Sequence, residues 1–165
     1  MLASVPLSEP AFPLLHRDLI VLESKSESKE EAVREIINAL YVNARTNGPD
    51  RLEEMVWSRE DVYSTGLGYG FAIPHCKTDA VIAGSIAVLK LTRPVEWGAL
   101  DGQPVHTVIL LAARESDANA RHLRIFSQLA RKLMSDEFRS QLVQAQNEDA
   151  NAVFKYLTEE LAIEV

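Results

Sequence analysis

Residues 59–77 read REDVYSTGLGYGFAIPHCK and concentrate the side chains of this chain that can do chemistry. His75 comes first among them. A neutral imidazole has one lone-pair nitrogen and can attack an electrophile without a separate base. Pro74 fixes the backbone just before it, and the residues on its other side read as a strand, so the ring is held in direction. An in-line attack on phosphorus requires that directional hold. The P–N bond it forms is labile, so the group can leave again. Arg59 offers a planar fork of donors that suits phosphate oxygens. Ser64 or Thr65 adds a hydroxyl where the glycine run begins. Gly66, Gly68 and Gly70 alternate, a spacing that admits positive φ angles and lets backbone N–H groups converge on an anion.

Each of these signals has an ordinary explanation when taken alone. A histidine after a proline fits a simple turn. GLGYG lacks the G-x-G-x-x-G spacing and leads to a proline instead of a helix, and no Gly-Lys-Ser/Thr follows, so neither a dinucleotide fingerprint nor a Walker loop is present and no cofactor is expected. His75, Cys76 and His122 do not suggest zinc. Adjacent residues of an extended chain point opposite ways, and no C-x-x-C or H-x-x-x-H spacing supports them. Cys76 reads as a small neighbour of the histidine, since nothing in the sequence activates it as a nucleophile. His106 lies in a strand-like run and reads as structural or exposed, His16 carries no motif, and Trp57 and Trp97 read as packing residues. Leu67, Tyr69 and Phe71 are candidates for an apolar docking surface around His75, with some of the three required by the core instead. The residues by themselves define an anion site beside a poised histidine.

The elements that must hold this site are readable from periodicity. Residues 1–18 contain Pro6, Pro10 and Pro13 and read as an irregular lead-in; after Met1, such a start fits a free subunit. A strand follows over residues 19–22. Ser28 and Glu31 form a capping-box pair, and Val33, Ile36, Ile37, Leu40 and Tyr41 follow at helical spacing as one buried face, with Gly48 past the end. Asp50, three residues before Glu53, repeats that signal and opens a short helix to about Ser58. Residues 85–91 (SIAVLKL) and 105–112 (VHTVILLA) read as strands. The second is nearly all apolar, which suits an interior strand covered on both faces. Between them, RPVEWGALDGQP is rich in turn residues. A helical stripe of His122, Phe126, Leu129 and Leu133 runs within 117–134, Ser135 caps a helix to about Ala145, and a last helix spans about 148–161. The expected fold is a single α/β domain, residues 19–165 after the lead-in, with a central mixed sheet flanked by helices.

Bulk properties narrow the partners. With 165 residues the chain is long enough to bury a core. A net charge of −7 argues against a nucleic-acid binder, which needs basic surface to displace counterions. Arg121, Arg124, Arg131 and Lys132 form a local basic run, read as a solvated helix face. No stretch of about 18 apolar residues exists to span a membrane, and the first residues lack the layout of a secretory signal. The single cysteine cannot form an internal disulfide, which fits a reducing compartment.

Arg59 followed by STG, GxG and AIPH resembles the signature of enzyme IIA of the phosphoenolpyruvate-dependent sugar phosphotransferase system, fructose/mannitol class. KEEAVREII, WGALDGQPVHTVILLAA and RHLRIFSQLARKL also resemble that family, so the likeness covers roughly residues 19–161. It implies a cytoplasmic phosphotransferase that accepts a phosphoryl group on His75 from the phosphocarrier HPr. The group then passes to a IIB component, which works with a membrane IIC component for uptake of a fructose-like sugar or a hexitol. The resemblance further implies that His122 sits beside His75 and orients its ring or contacts the phosphoryl oxygens. Arg59 would stabilise the transferring charge, and Thr65 would donate a hydrogen bond. Residues 113–121, ARESDANAR, depart from relatives that carry a Pro-Glu pair and a shorter run there, which bears on partner preference. The nitrogen-related branch of the family offers an alternative, a regulatory protein acting on partners through its phosphorylation state. CKT after the histidine and WGALDGQPV favour the sugar-transport branch.

Overall fold

Val105–Ala113 (β6) is apolar almost throughout because both of its faces are covered. In the computed structural model, which describes residues 12–115 and 120–163, β6 lies inside a six-stranded mixed sheet. Ser85–Val95 (β5) pairs antiparallel with it, and Ile20–Ser24 (β1) pairs parallel with β5. On the other side of β6 run Phe71–Ala72 (β3) and His75–Lys77 (β4), both parallel to it, and Gly66–Gly68 (β2) closes a hairpin onto β3. β3 and β4 keep one register along β6, Phe71 opposite Thr107 and His75 opposite Leu111. They are one strand interrupted at Ile73–Pro74. Pro74 has no N–H to give to a ladder, but its carbonyl accepts from Leu111 N at 3.0 Å, so the strand resumes at His75 without losing register.

Strand alternation divides the core in two. Ile86, Val88, Ile109 and Leu111 face Ala120–Lys132 (α3), Asp136–Glu148 (α4) and Ala150–Glu160 (α5). Ala87, Leu89, Val108, Leu110 and Ala112 face Lys29–Val42 (α1) and Pro49–Glu60 (α2). A fully buried leucine or isoleucine contributes about 1.5–3 kcal/mol, and Ile86, Leu89, Ile109 and Leu110 all qualify. The central strands are thereby packed on both faces, and the candidate histidine is mounted on the sheet they form.

Most expected elements are present with adjusted ends. The Ser28 hydroxyl caps α1 by accepting from Glu31 N. The Ser135 hydroxyl caps α4 by accepting from Phe138 N. α2 does not start as expected: its N-cap is Gly48 and Pro49 takes the first helical position, where a missing N–H costs nothing. Asp50 is therefore inside the first turn. α2 also runs two residues past Ser58, so Arg59 stands in its last turn. Tyr41 is exposed and lies off the buried face of α1. Of the lead-in, residues 1–11 lie outside the described residues. Leu14 and Leu15 are buried, Leu14 O accepts from Ile86 N at 2.8 Å, and Arg17–Leu19 makes a short 3-10 turn capped by His16. α3 is described from Ala120, and the expected start at 117 lies outside the described residues.

Candidate active site

The break at Ile73–Pro74 shapes the surroundings of His75. Ile73 N donates to Thr65 O at 3.0 Å, and Ile73 O turns towards the imidazole, 3.0 Å from His75 Nδ1. A carbonyl can only accept, so Nδ1 carries the ring proton and Nε2 holds the lone pair. Arg59 meets that lone pair, its Nε donating to His75 Nε2 at 3.2 Å. The guanidinium is itself positioned by the turn that follows α2. Its Nη1 donates to Tyr63 O at 2.9 Å, and its carbon lies 4.2 Å from the centre of the Tyr63 ring. His75 is partly buried, with its neighbours Pro74 and Cys76 buried. A backbone carbonyl thus meets one ring nitrogen of His75 and a cation meets the other.

His122 reaches the same end of the sheet from the opposite flank of β6. His75 pairs with Leu111 and Ser85 with Ala112, on either side of that strand. A Cβ on Gly84, just before Ser85, would lie 2.5 Å from His122 Nδ1, so the imidazole fills the space a side chain there would need. Next to Gly84, the buried Arg45 Nη1 donates to Ser85 Oγ at 3.1 Å and to Pro13 O at 2.7 Å. Burial lowers the Arg45 pKa from its ordinary value. Arg121, Arg124 and Arg131 are exposed along α3, and Lys132 pairs with Glu160 at 3.5 Å.

Two sequence expectations take a different place. The glycine run does not cradle an anion at His75. It forms the β2–β3 hairpin at the far end of the sheet, where Gly70 O accepts from His106 N at 2.8 Å. That position is roughly 17 Å along β6 from Leu111. The expected positive φ angles are there, at Gly68 (97°), Tyr69 (59°) and Gly70 (86°). The anion they serve is the protein's own: Tyr69 N donates to Asp101 Oδ2 at 2.9 Å. That bond, with one from Gln103 N, holds the Asp101 carboxyl below its ordinary pKa. Thr65 is buried, and its hydroxyl donates to the Glu60 carboxylate while accepting from Trp97 Nε1 at 3.3 Å. Ser64 Oγ donates to Trp97 O at 3.1 Å. Both hydroxyls beside the glycine run are therefore engaged away from the imidazole.

The remaining candidates sort by burial. Phe71 is core, Leu67 is partly buried against it, and Tyr69 is exposed with the Arg139 guanidinium 3.8 Å over its ring. Trp97 is buried and Trp57 partly so. Cys76 is buried in the α1/α2 face of the core, and desolvation pushes its thiol up to about 12. The residues sequence reasoning missed act mainly through backbone or through fit: Ile73 and Tyr63 by their carbonyls, Gly84 by lacking a Cβ. Only Tyr63, an aromatic four residues after Arg59, leaves a signal a sequence could carry.

The profile of the family described as "Phosphoenolpyruvate-dependent sugar phosphotransferase system, EIIA 2" matches residues 13–160. The chain is 40% identical over 152 residues to multiphosphoryl transfer protein 2 of Escherichia coli K12, covering 92% of this chain and 18% of that protein. It is 40% identical over 137 residues to the fructose-specific EIIABC component of Bacillus subtilis 168, covering 83% of this chain and 21% of that one. The chain thus spans about a fifth of the length of these curated relatives. Among solved structures, the nitrogen regulatory protein IIA-Ntr of Neisseria meningitidis superposes with a TM-score of 0.77 at 29% identity, over 88% of this chain and 97% of that one.

Proposed function

The chain belongs to the EIIA 2 family of the phosphoenolpyruvate-dependent sugar phosphotransferase system, and on that premise we propose that it accepts a phosphoryl group on His75 Nε2 and passes it to a second protein. The observation that carries this reading is the engagement of both ring nitrogens of His75, Nδ1 by the Ile73 carbonyl and Nε2 by Arg59. The carbonyl keeps the proton on Nδ1, so the lone pair stays on the nitrogen that faces the cation. As the donor's P–N bond breaks, its imidazole leaves with the electron pair, and Nε2 forms the new P–N bond in line. The Arg59 Nε–H then exchanges the filled lone pair for a phosphoryl oxygen and stabilises the charge developing there. Nδ1 retains its proton on a ring that is now cationic. The Ile73 carbonyl favours that form, and a cationic ring is the better leaving group for the next step.

In this reading the donor is phospho-HPr and the acceptor is a IIB component, with the relay running in the cytoplasm. The named fructose-specific relative supports a fructose-class sugar. Among the described residues no helix is long and apolar enough to cross a membrane, which is compatible with a carrier that meets both partners in solution. His122 and Arg59 serve the transfer, and Thr65 contributes through the buried cluster it joins. The test is intact-mass measurement after mixing the protein with phosphoenolpyruvate, enzyme I and HPr, beside His75→Ala. One acid-labile phosphoryl group in the parent and none in a folded His75→Ala is the expected result. No added mass in the parent, with HPr shown to be charged, overturns it. Onward transfer to a sugar-specific IIB component separates the transport role from a regulatory one.

A further inference from the structure

Glu60 is the one carboxylate of the α2 C-terminus that is buried, its side chain 2% exposed, directly after Arg59. Its oxygens gather donors from three segments. Thr65 gives its N–H, at 3.1 Å to Oε2, and its hydroxyl to Oε1. Trp97 Nε1 approaches Oε1 at 3.4 Å. Lys29 Nζ, from the first turn of α1, lies 2.9 Å from Oε2 and also donates to Trp97 O at 2.9 Å. A buried ion pair with this many satisfied partners adds little net stability over an apolar replacement, and its most secure use is to fix geometry.

The geometry fixed here is the relation of Arg59 to His75. The Glu60 carboxylate grips Thr65, so residues 61–64 are a loop with both ends tied to one side chain. That loop carries Tyr63, whose carbonyl and ring hold the Arg59 guanidinium. Thr65 O, at the other end of the grip, accepts from Ile73 N. Ile73 O in turn holds His75 Nδ1. One carboxylate therefore sets both the cation and the imidazole. We propose that Glu60, acting through Thr65 and with Lys29 as its counter-ion, is a positioning residue for phosphoryl transfer that keeps Arg59 aligned on His75 Nε2. This rests on the phosphoryl-carrier reading of His75.

Glu60→Gln keeps the shape of the side chain while removing its charge. The grip loosens, the turn carrying Tyr63 shifts, and the maximal rate of phosphoryl acceptance falls about 10- to 100-fold. The donor concentration for half-maximal rate is unchanged, because the docking surface is intact. ¹⁵N NMR of the uncharged protein reads the same event without any transfer, as displaced Arg59 Nε–H and His75 ring signals. Thr65→Val breaks the grip from its other end, leaves the Lys29–Glu60 pair in place, and moves both readouts the same way by a smaller amount. It decides the matter if Glu60→Gln does not fold. Folded variants with parental maximal rates and parental Arg59 and His75 signals overturn the proposal. A parent that accepts no phosphoryl group sinks the carrier reading alone. The NMR comparison then still upholds or refutes the alignment of Arg59 by Glu60.

Discussion

At the C-terminal end of β6, His75 rests one ring nitrogen on a backbone carbonyl and turns the other to a guanidinium. At the N-terminal end, His106 is packed instead of poised. Its ring stands edge-on to Phe71 with centroids 4.9 Å apart, and Nδ1 lies 2.7 Å from Thr107 Oγ1. A Cβ on Gly70 would lie 2.4 Å from its Cδ2. Burial, then the charge of Lys90, lowers its pKa below the ordinary 6.5. Two histidines on one sheet thus differ in what surrounds them, with a ring edge and a close-fitting glycine for the half-buried His106 and directed partners on both ring nitrogens for His75. What sets the candidate histidine apart is the fixed tautomer and the cation at its lone pair, and a place on the sheet is not enough.

The largest expected break in that contrast is Arg59→Ala. It leaves the carbonyl on Nδ1 and removes the cation from Nε2, and phosphoryl acceptance by His75 slows about 10²-fold or more. Single-turnover kinetics with charged HPr measure it, and an unchanged rate would reduce the site to the imidazole and its carbonyl. A matched pair of glycine substitutions sharpens the comparison. Gly84→Ala drives a methyl into His122 and slows transfer about tenfold, as misplacement near a reacting group does. Gly70→Ala, at the other end, meets both the His106 ring and a φ of 86°. It costs about 2–3 kcal/mol of stability and leaves transfer by the folded protein intact. Thermal melts beside transfer rates separate the two; slowed transfer in a stably folded Gly70→Ala would join the two ends functionally.

The smallest effect is the pH response of His106. Its folded pKa lies below the unfolded value, so between the two the unfolded chain binds more protons and stability rises with pH. The contribution is fully present above about 6.5 and is lost as pH falls through the folded value. Melting temperatures at pH 7.5 and 5.5 should separate more in the parent than in His106→Gln. Equal separations would mean that His106 is not held neutral by its surroundings.

What could be read in the sequence follows the reach of each interaction. The Ser28–Glu31 cap, the apolar run of β6 and the Pro74–His75 pair are local, and each is legible within a few residues. The destination of the glycine run is not local. GLGYG states that the backbone turns through positive φ, but Asp101, more than thirty residues on, decides which anion it binds. The hydroxyl of Thr65 reads as an available donor until Glu60 and Trp97 are folded against it. β2, β3 and β4 are only two or three residues long, too short for a period to show; β3 and β4 exist because β6 is there to pair with, and β2 because β3 is. The family resemblance pointed to Arg59 and His122 as companions of His75. Their supports, the Tyr63 carbonyl and the bare Cα of Gly84, are matters of backbone and empty space that residue types do not spell out.

Cys76, the covalent neighbour of His75, has a practical consequence for the chain as a laboratory object. A buried thiol pushed up to about 12 is almost wholly protonated at neutral pH and shielded as well. With no other cysteine in its sequence, the native chain is close to silent towards maleimides and iodoacetamides. A reporter thiol introduced at an exposed position such as Leu100 would be labelled without first deleting the native one. Partner encounters could then be followed by fluorescence in a protein whose His75 keeps its natural neighbour.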